Sequence, residues 1–98
     1  MDVEYWLNGI CFQWDHRKAA RTLRDHRVAF ETACEPFFDP FVRWLDAEVV
    51  DGEERERVIG MAADWQLLIV VYLERKAAIR LISARPATSE ERRTYEDY

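Results

Sequence analysis

The chain has 98 residues, of which 49% are hydrophobic and 13% are aromatic, and its formal net charge is −5. This length is typical of one domain, here residues 1–98, and the apolar content supplies a core and leaves little room for disorder. The negative charge argues against a protein that coats nucleic acid nonspecifically, because such binding needs many Lys and Arg side chains at phosphates.

The sequence also limits where the protein acts. The longest apolar run, residues 67–73, is too short to cross a bilayer, and no signal peptide is recognisable. Cys11 and Cys34 form no motif, so we expect them to be reduced, buried thiols. These features together predict a cytoplasmic protein with no membrane partner.

Hydrophobic periodicity and turn residues predict the secondary structure. The predicted elements are strands at 3–7 and 10–14, helices at 16–25 and 30–38, strands at 41–50, 55–60, 65–73 and 79–85, and a helix at 89–97. Asn8-Gly9 favours a type I′ turn between the first two strands. Asp15 is the expected N-cap of the first helix.

The two central helices are predicted from different signals. The first is expected to turn Ala19, Ala20 and Leu23 toward the core. The second has a regular apolar stripe, but Pro36 removes a backbone donor inside it. We therefore expect a kinked or shortened last turn there.

The second half of the chain is dominated by strand signals. Asp51-Gly52 predicts a turn, and the run at 67–73 is apolar on both faces, as in a central strand. Thr88 and Glu91 have the spacing of a capping box at the start of the final helix. The order of elements predicts an α+β domain, with an N-terminal hairpin, two helices, about four further strands in a mostly antiparallel sheet, and a C-terminal helix.

Charge is unevenly distributed along the chain. Residues 17–27 hold five Lys or Arg and one acid, whereas residues 31–56 hold nine acids and two Arg. This segregation indicates one anion-facing surface and one acidic surface. The acidic surface either binds a basic partner or is simply solvated.

Most cofactor chemistry lacks a motif here. His16 and His26 are far apart in sequence and neither cysteine is spaced to join them, so we expect no metal site. No glycine-rich phosphate loop or nucleophile elbow occurs, and no cofactor is expected. The side chains that remain for chemistry are His26, Glu53, Glu54, Arg55, Arg57, Arg80, Ser83, Arg85 and Tyr95.

RNA cleavage by attack of the 2′-hydroxyl on its neighbouring phosphate suits such a set. The protein then only has to accept a proton from the hydroxyl, supply one to the leaving 5′-oxygen, and stabilise the phosphorane. Arg80 and Arg85 lie on an otherwise apolar strand and need partners, either an internal carboxylate such as Glu54 or a substrate phosphate. In a regular strand they point to opposite faces, so either a bulge re-aims one or only one meets substrate.

Five segments resemble the BrnT family of type II toxins. Residues 10–30, ICFQWDHRKAARTLRDHRVAF, match its opening motif of an aromatic-x-Trp-Asp, a Lys on the following helix, then a His and an aromatic. The resemblance continues in order with ACEPFFDP (33–40), DGEERERVIG (51–60), LLIVVYLER (67–75) and IRLISARPATSEERRTYED (79–97). It thus extends over nearly the whole chain.

The resemblance implies a small cytoplasmic ribonuclease with a RelE-like fold that inhibits translation. It implies neutralisation by a BrnA-like antitoxin with a ribbon-helix-helix module, and contact with operator DNA only through that antitoxin. A dimer or a heterotetramer with the antitoxin is the expected assembly. The alternative is a non-catalytic or attenuated module that binds the antitoxin and acts as an operon corepressor.

The resemblance also implies which residues form the site. The implied catalytic residues are His26, Glu54, Arg55, Arg80 and Arg85, and the implied substrate-binding residues are Lys18 and Tyr95. In this interpretation Arg80 and Arg85 hold phosphate, and His26 or Glu54 transfers protons. Each has a structural alternative: His26 ends a helix, where a cation is favoured, and Tyr95 either stacks on a base or packs in the core.

The chain departs from the family pattern at several positions. Thr22 stands where relatives commonly carry Asn, and Arg27 replaces the Gly expected after the His. Ala29 replaces a small polar cap, Pro36 interrupts the second helix, and Leu73 replaces a Thr. These changes and the net acidity favour the non-catalytic alternative. They favour it more strongly for this chain than for a basic member of the family.

Overall fold

The protein consists of one six-stranded sheet with helices on both faces, in a computed structural model that describes residues 1–97. Only Tyr98 of the predicted domain lies outside the described residues. The elements are β1 (Asp2–Leu7), β2 (Ile10–Asp15), α1 (His16–His26), α2 (Phe30–Ala33), a 3₁₀ helix (Glu35–Phe38), β3 (Arg43–Val50), β4 (Glu53–Met61), β5 (Leu67–Arg75), β6 (Ala78–Pro86) and α3 (Ser89–Glu96). The predicted α+β class, with a mostly antiparallel sheet and a C-terminal helix, is confirmed.

The sheet has the strand order β1-β2-β6-β5-β4-β3. Its neighbours pair antiparallel except β2 and β6, which run parallel. The apolar strand β5 lies between β6 and β4 and is covered on both faces, as its sequence predicts. Because α1 follows β2 directly and packs back against neighbouring β6, the basic end of α1 is brought over that strand. No helix within residues 1–97 is long and apolar enough to cross a membrane.

The predicted turn at Asn8-Gly9 is present, with φ of 50° at Asn8 and 81° at Gly9. These positive values are those a type I′ turn requires. The N-cap prediction for α1 is also confirmed, since the Asp15 carboxylate accepts a hydrogen bond of 2.7 Å from the backbone N–H of Arg17. At α3, Thr88 and Glu91 form the reciprocal bonds of a capping box.

The inner face of α1 differs from the prediction. Thr22 is buried and Ala19 packs on the core, whereas Ala20 is exposed and Leu23 is 52% exposed. The prediction for Ala20 and Leu23 was therefore wrong. Hydrophobicity alone predicted that the aliphatic side chains face the core, but the face of α1 that packs on the sheet carries Ala19 and Thr22.

The predicted break at Pro36 is confirmed. The helix α2 stops at Ala33, and the chain continues as a short 3₁₀ helix with Pro36 in its first turn. This segment presses against β4 at Gly60. A Cβ atom added to Gly60 would lie 2.8 Å from the Pro36 carbonyl oxygen, so any larger residue there must displace backbone.

The sheet separates two apolar layers. The larger layer lies under α1 and α2 and includes Phe12, Trp14 and Phe30, with Cys34 fully buried among them. Cys11 is buried as well, and both cysteines are unpaired thiols, as predicted. Burial raises the pKa of both thiols, which keeps them protonated.

The smaller layer lies on the opposite face, under α3. It is formed by Ile59, Leu67 and Ile69 of the sheet together with Tyr95 of α3. This layer fixes α3 above the ends of β4 and β5. Beside this layer, Arg85 of β6 binds Glu91 of α3.

Candidate active site

A cavity of about 310 Å³ lies between α1, β6 and the start of β4. We call it the α1–β6 pocket. Its lining residues are Lys18, Arg21, Thr22, Asp25, His26, Arg55, Ile82 and Ser83. Small-molecule and nucleotide-sized sites begin at about 300 Å³, so the cavity matches the lower end of that range.

The sequence places its basic side chains in this pocket through helical spacing. Lys18, Arg21, Thr22, Asp25 and His26 fall at i, i+3, i+4, i+7 and i+8, which is one face of a helix. Only Lys18 and His26 of this set were predicted as site residues. The same spacing in the sequence would have identified Arg21 and Thr22, but the apolar side chains of the helix drew the prediction to another face.

The end of α1 exposes His26 to the cavity. The helix closes at Arg27, which adopts φ of 60° and donates its backbone N–H to the Leu23 carbonyl oxygen at 3.0 Å. Glycine adopts this left-handed conformation without steric cost, and Gly is the residue that the family resemblance leads us to expect here. Arg27 preserves the helix end at a conformational cost, so His26 remains in place.

One carboxylate, Asp25, lines the pocket among these cations. It accepts a hydrogen bond of 2.9 Å from Nε of Arg24, a residue that does not line the cavity. This bond, with smaller contributions from His26 and Arg21, lowers the pKa of Asp25 below its ordinary value. Asp25 is therefore ionised, and its carboxylate is already paired with Arg24. The pocket keeps an excess of positive charge, which comes from Lys18 and Arg21.

A β-bulge shapes the β6 side of the pocket. Val71 of β5 lies opposite Ser83, whereas the next residue, Tyr72, lies opposite Leu81. Ile82 is therefore an extra residue in β6. Ser83 was predicted only as one of several chemistry-bearing residues, and the bulge is what presents it and Ile82 to the cavity.

The same bulge re-aims the arginines of β6. Arg80 lies opposite Leu73, and Arg85 lies opposite Ile69. Leu73 and Ile69 are four residues apart on β5, so they share a face of the sheet. Arg80 and Arg85 therefore share a face as well, and the first of the two predicted alternatives, a bulge, is the one observed.

Arg80 nevertheless has an internal partner. Its two terminal nitrogens donate to the two carboxylate oxygens of Asp2, at 3.2 and 3.0 Å. The hydrogen bond from Arg80 lowers the pKa of Asp2. The Asp2 side chain is 64% exposed, so water competes for this pair. The predicted partner Glu54 is not involved.

Arg85 is held more firmly. It donates to both carboxylate oxygens of Glu91 on α3, at 2.7 and 2.8 Å. The hydrogen bond from Arg85 is the main cause that lowers the pKa of Glu91 to about 2. The same Glu91 carboxylate accepts the backbone N–H of Thr88, so Arg85 is part of the cap of α3.

Arg55 and Glu54 are neighbours on β4 with different surroundings. Arg55 lines the pocket, and its Nε lies 3.2 Å from a carboxylate oxygen of Glu53. The Glu54 side chain is exposed and does not line the pocket. Alternation along the strand accounts for the difference, since adjacent side chains point to opposite faces.

Tyr95 lies away from the pocket. Its ring is buried with Ile59 and Ile69, and its hydroxyl donates to the Asp39 carboxylate at 2.5 Å. Burial of Asp39 opposes ionisation, but this bond and two backbone N–H bonds outweigh it, and the pKa of Asp39 is lowered. A buried ring offers no face on which a base can stack, so the packing alternative describes Tyr95.

The pocket thus collects Lys18, His26 and Arg55 from the predicted set, and leaves out Glu54, Arg80, Arg85 and Tyr95. Within residues 1–97, no three His, Cys, Asp or Glu side chains are grouped as metal ligands. Guanidinium and ammonium groups around a polar cavity stabilise phosphate charge, and an imidazole beside them can transfer protons. A small α+β domain with a cation-lined cavity is the class of protein that these features define.

The comparison with protein families identifies the class further. The family described as ribonuclease toxin, BrnT, of type II toxin-antitoxin systems matches residues 14–91. The chain belongs to this family. The match includes α1, the bulge of β6 and Arg55, so the pocket lies wholly within it. A search of curated proteins found no match.

Proposed function

We propose that this chain is a metal-independent endoribonuclease whose active site is the α1–β6 pocket. The observation that carries the proposal is the convergence of Lys18, Arg21, Arg55 and His26 on one cavity in a chain whose net charge is −5. Membership in a family of ribonuclease toxins supports the same conclusion. RNA is the substrate, and cleavage follows attack of a 2′-hydroxyl on the adjacent phosphate.

The residues divide into two roles. Lys18, Arg21 and Arg55 bind the scissile phosphate and stabilise the added negative charge of the phosphorane, where one well-placed donor contributes about 10²–10³-fold in rate. His26 accepts the proton of the attacking 2′-hydroxyl, a step that contributes about 10²–10⁴-fold. The leaving 5′-oxygen receives a proton from water, which the open cavity admits. The products are a 2′,3′-cyclic phosphate and a 5′-hydroxyl.

This assignment changes the roles first expected from the sequence. Proton transfer by Glu54 is not supported, since its side chain does not line the cavity. Arg80 and Arg85 bind RNA only where a phosphate displaces Asp2 or Glu91, so we place them beside the site, as contacts to neighbouring phosphates. Arg80 is the more available of the two because Asp2 is largely exposed.

The biological setting follows from the family. A type II toxin is paired with a protein antitoxin, and we propose a BrnA-like ribbon-helix-helix protein that covers the site and connects the toxin to operator DNA. The toxin then acts in the cytoplasm, inhibits translation by cleaving RNA, and forms a dimer or heterotetramer with the antitoxin. A RelE-like fold belongs to the same proposal and is supported by the helix-covered antiparallel sheet.

One observation favours a second function. Both arginines of β6 are paired with internal carboxylates, and an attenuated toxin that serves mainly as a corepressor with its antitoxin does not need them free. This candidate predicts antitoxin binding and operon repression without RNA cleavage at any protein concentration.

The two histidines of the chain offer a matched test, because they begin and end the same helix. His26 lines the pocket and His16 does not. Cleavage of a labelled RNA in the presence of EDTA should fall about 10²-fold or more in His26→Ala and stay near the unsubstituted rate in His16→Ala. Equal rates in all three proteins would exclude His26 as the base. Absence of cleavage and of growth arrest in the unsubstituted protein supports the corepressor.

A further inference from the structure

A two-stranded ribbon extends from the sheet at the turn between β3 and β4. These strands pair out to Val50 opposite Glu53, whereas pairing of β4 with β5 begins only at Glu56. We call residues 44–54 the β3–β4 ribbon, in which residues 44 and 45 form the base, opposite residues of β4 that also pair with β5. A two-stranded hairpin is only marginally stable in water by itself, so its tip has both faces available for a partner.

The ribbon has one sign of charge. Residues 44–54 include no Lys or Arg and contain five acids, Asp46, Glu48, Asp51, Glu53 and Glu54. All five side chains are exposed. Arg55, the next residue, lies opposite Glu48 and pairs with Glu53, so the excess negative charge of the ribbon lies mainly at Asp46, Asp51 and Glu54.

Apolar side chains are exposed among these acids. Trp44 is 63% exposed and Val49 is 69% exposed, although both residue types usually bury most of their surface. Exposed apolar groups bordered by charges of one sign are typical of a surface that becomes buried in a complex. Solvation alone accounts for the acids but not for Trp44 and Val49.

The backbone of β3 is also available. In the described sheet β3 is an edge strand, with β4 as its neighbour on one side. The residues that flank a two-residue turn form a hydrogen-bonded pair, so with Val50 opposite Glu53, the N–H and C=O of Val49 point away from β4. At the bulge in β3, Arg57 donates to the Asp46 carbonyl at 2.9 and 3.0 Å, so the groups of β3 offered to an added strand are those of Val49.

We propose that the β3–β4 ribbon is the docking surface for an extended basic segment of the protein antitoxin. The segment lies beside β3 as an added strand, its Lys or Arg side chains face the ribbon acids, and its apolar side chains cover Trp44 and Val49. A type II toxin is paired with a protein antitoxin, and the excess of acids on the ribbon favours a basic segment of that partner by charge complementarity. The inference uses the family membership and does not depend on RNA cleavage.

Position connects this surface with the pocket. Glu53 is part of the ribbon, and its carboxylate contacts Arg55, which lines the α1–β6 pocket. A chain bound along β3 therefore ends close to the proposed RNA site. The other basic surface in reach is α1 of a second copy of this chain, and the test below separates that occupant from the antitoxin.

The experiment measures binding of the purified antitoxin encoded beside this chain by calorimetry, with full-length proteins. Asp46→Lys/Glu48→Lys reverses charge on the ribbon, and Glu4→Lys/Glu74→Lys makes the same change in net charge at exposed acids outside it. We expect the ribbon variant to weaken binding by about 10-fold or more and the control to change it by less than about 2-fold. Equal effects of the two variants would overturn the proposal.

Strand addition has its own test. Val49→Pro removes one outward N–H and is expected to weaken antitoxin binding by about 10-fold, since an edge strand accepts Pro where its N–H faces solvent. Hydrogen exchange of the unsubstituted complex supplies a measurement that does not depend on the fold of this variant. The Val49 amide should gain protection when the antitoxin binds. Unchanged exchange at Val49, or a dimer of the chain alone that Asp46→Lys/Glu48→Lys disrupts, would refute the antitoxin strand.

Discussion

The cations of the α1–β6 pocket and the arginines of β6 differ in what neutralises them. Arg80 and Arg85 were expected from the sequence to hold phosphate, and each donates two hydrogen bonds to one carboxylate. Lys18 and Arg21 drew less attention because they lie on a helix surface, yet they line a cavity whose one carboxylate is occupied by Arg24. Burying a cation on an apolar strand is costly unless a carboxylate pairs with it. An arginine at such a position therefore indicates an internal ion pair as readily as a substrate-binding role.

The largest expected effect distinguishes Arg55 from Arg80. Removing Arg55 takes a donor from the pocket, and Arg55→Ala should lower the rate of RNA cleavage about 10²-fold. Arg55 makes one hydrogen bond to Glu53 and lines the pocket, whereas Arg80 makes two to Asp2 and does not, so Arg80→Ala should lower the rate by less than about 10-fold. Single-turnover cleavage at saturating protein measures both. The reverse order of effects would move the active site from the pocket to β6.

Acid titration of stability tests the Arg85 pair. A carboxyl with a lowered pKa in the folded protein binds its proton more readily when unfolded, so acid favours unfolding. With the pKa of Glu91 at about 2 against an ordinary 4.5, its contribution is complete above about pH 4.5 and declines as the pH falls toward 2. Glu91→Gln should lose about 1–2 kcal/mol of unfolding free energy at pH 7.

The measurement for Glu91 is urea unfolding between pH 7 and pH 2.5. The difference between Glu91→Gln and the unsubstituted protein should shrink as the pH falls. Glu90→Gln, on the exposed side of the same helical turn, serves as the control. If the difference in unfolding free energy between the two proteins stays constant with pH, the negative charge of Glu91 does not contribute to its stabilising contact with Arg85.

A substitution at the end of α1, beside the pocket, should change the free energy of unfolding by a smaller amount. Arg27→Gly relieves a left-handed conformation at a non-glycine residue and should raise the unfolding free energy by about 0.5–1 kcal/mol. RNA cleavage should remain unchanged, since Arg27 does not line the pocket. Thermal unfolding and the cleavage assay measure the two quantities on one sample. Loss of stability would mean that the Arg27 side chain stabilises the helix end more than its backbone strains it.

The smallest effect concerns Asp2. Asp2→Asn should leave the melting temperature nearly unchanged, because exposed ion pairs contribute little. It should make Arg80 available to RNA, so the slope of log Kd against log salt concentration should steepen by about 0.7, the value for one added phosphate contact with a single strand. Fluorescence anisotropy at several salt concentrations measures the slope. An unchanged slope would mean that RNA does not reach Arg80.

Local chemistry made much of the fold predictable. The Asn8-Gly9 turn, the Asp15 cap, the break at Pro36 and the capping box of α3 depend on residues close in sequence, and each is confirmed. The inner face of α1 was not predictable in the same way. Its orientation depends on the tertiary contact with β6, in which Thr22 is buried and Leu23 stays exposed, so hydrophobicity gave a misleading signal.

The site was predictable only in part, because pairing partners come from distant segments. The family resemblance indicated Lys18, His26 and Arg55, which the fold brings to one cavity. It did not indicate that Asp2 binds Arg80, because the two residues are 78 positions apart in the sequence. A bulge in β6 was one of two alternatives, the other being that only one arginine meets the substrate. The alternation of residues is visible in the sequence, but the pairing of β6 with β5, which shows the bulge at Ile82, is not.

The sequence by itself determined the elements, their caps and turns, and the separation of a basic from an acidic region, since each depends on residues within a few positions of one another. Tertiary structure alone decided which cations are neutralised, because the electrostatics of an arginine depend on carboxylates that only folding brings within hydrogen-bonding distance. It also decided where the acidic region lies, at a sheet edge whose backbone remains available for pairing.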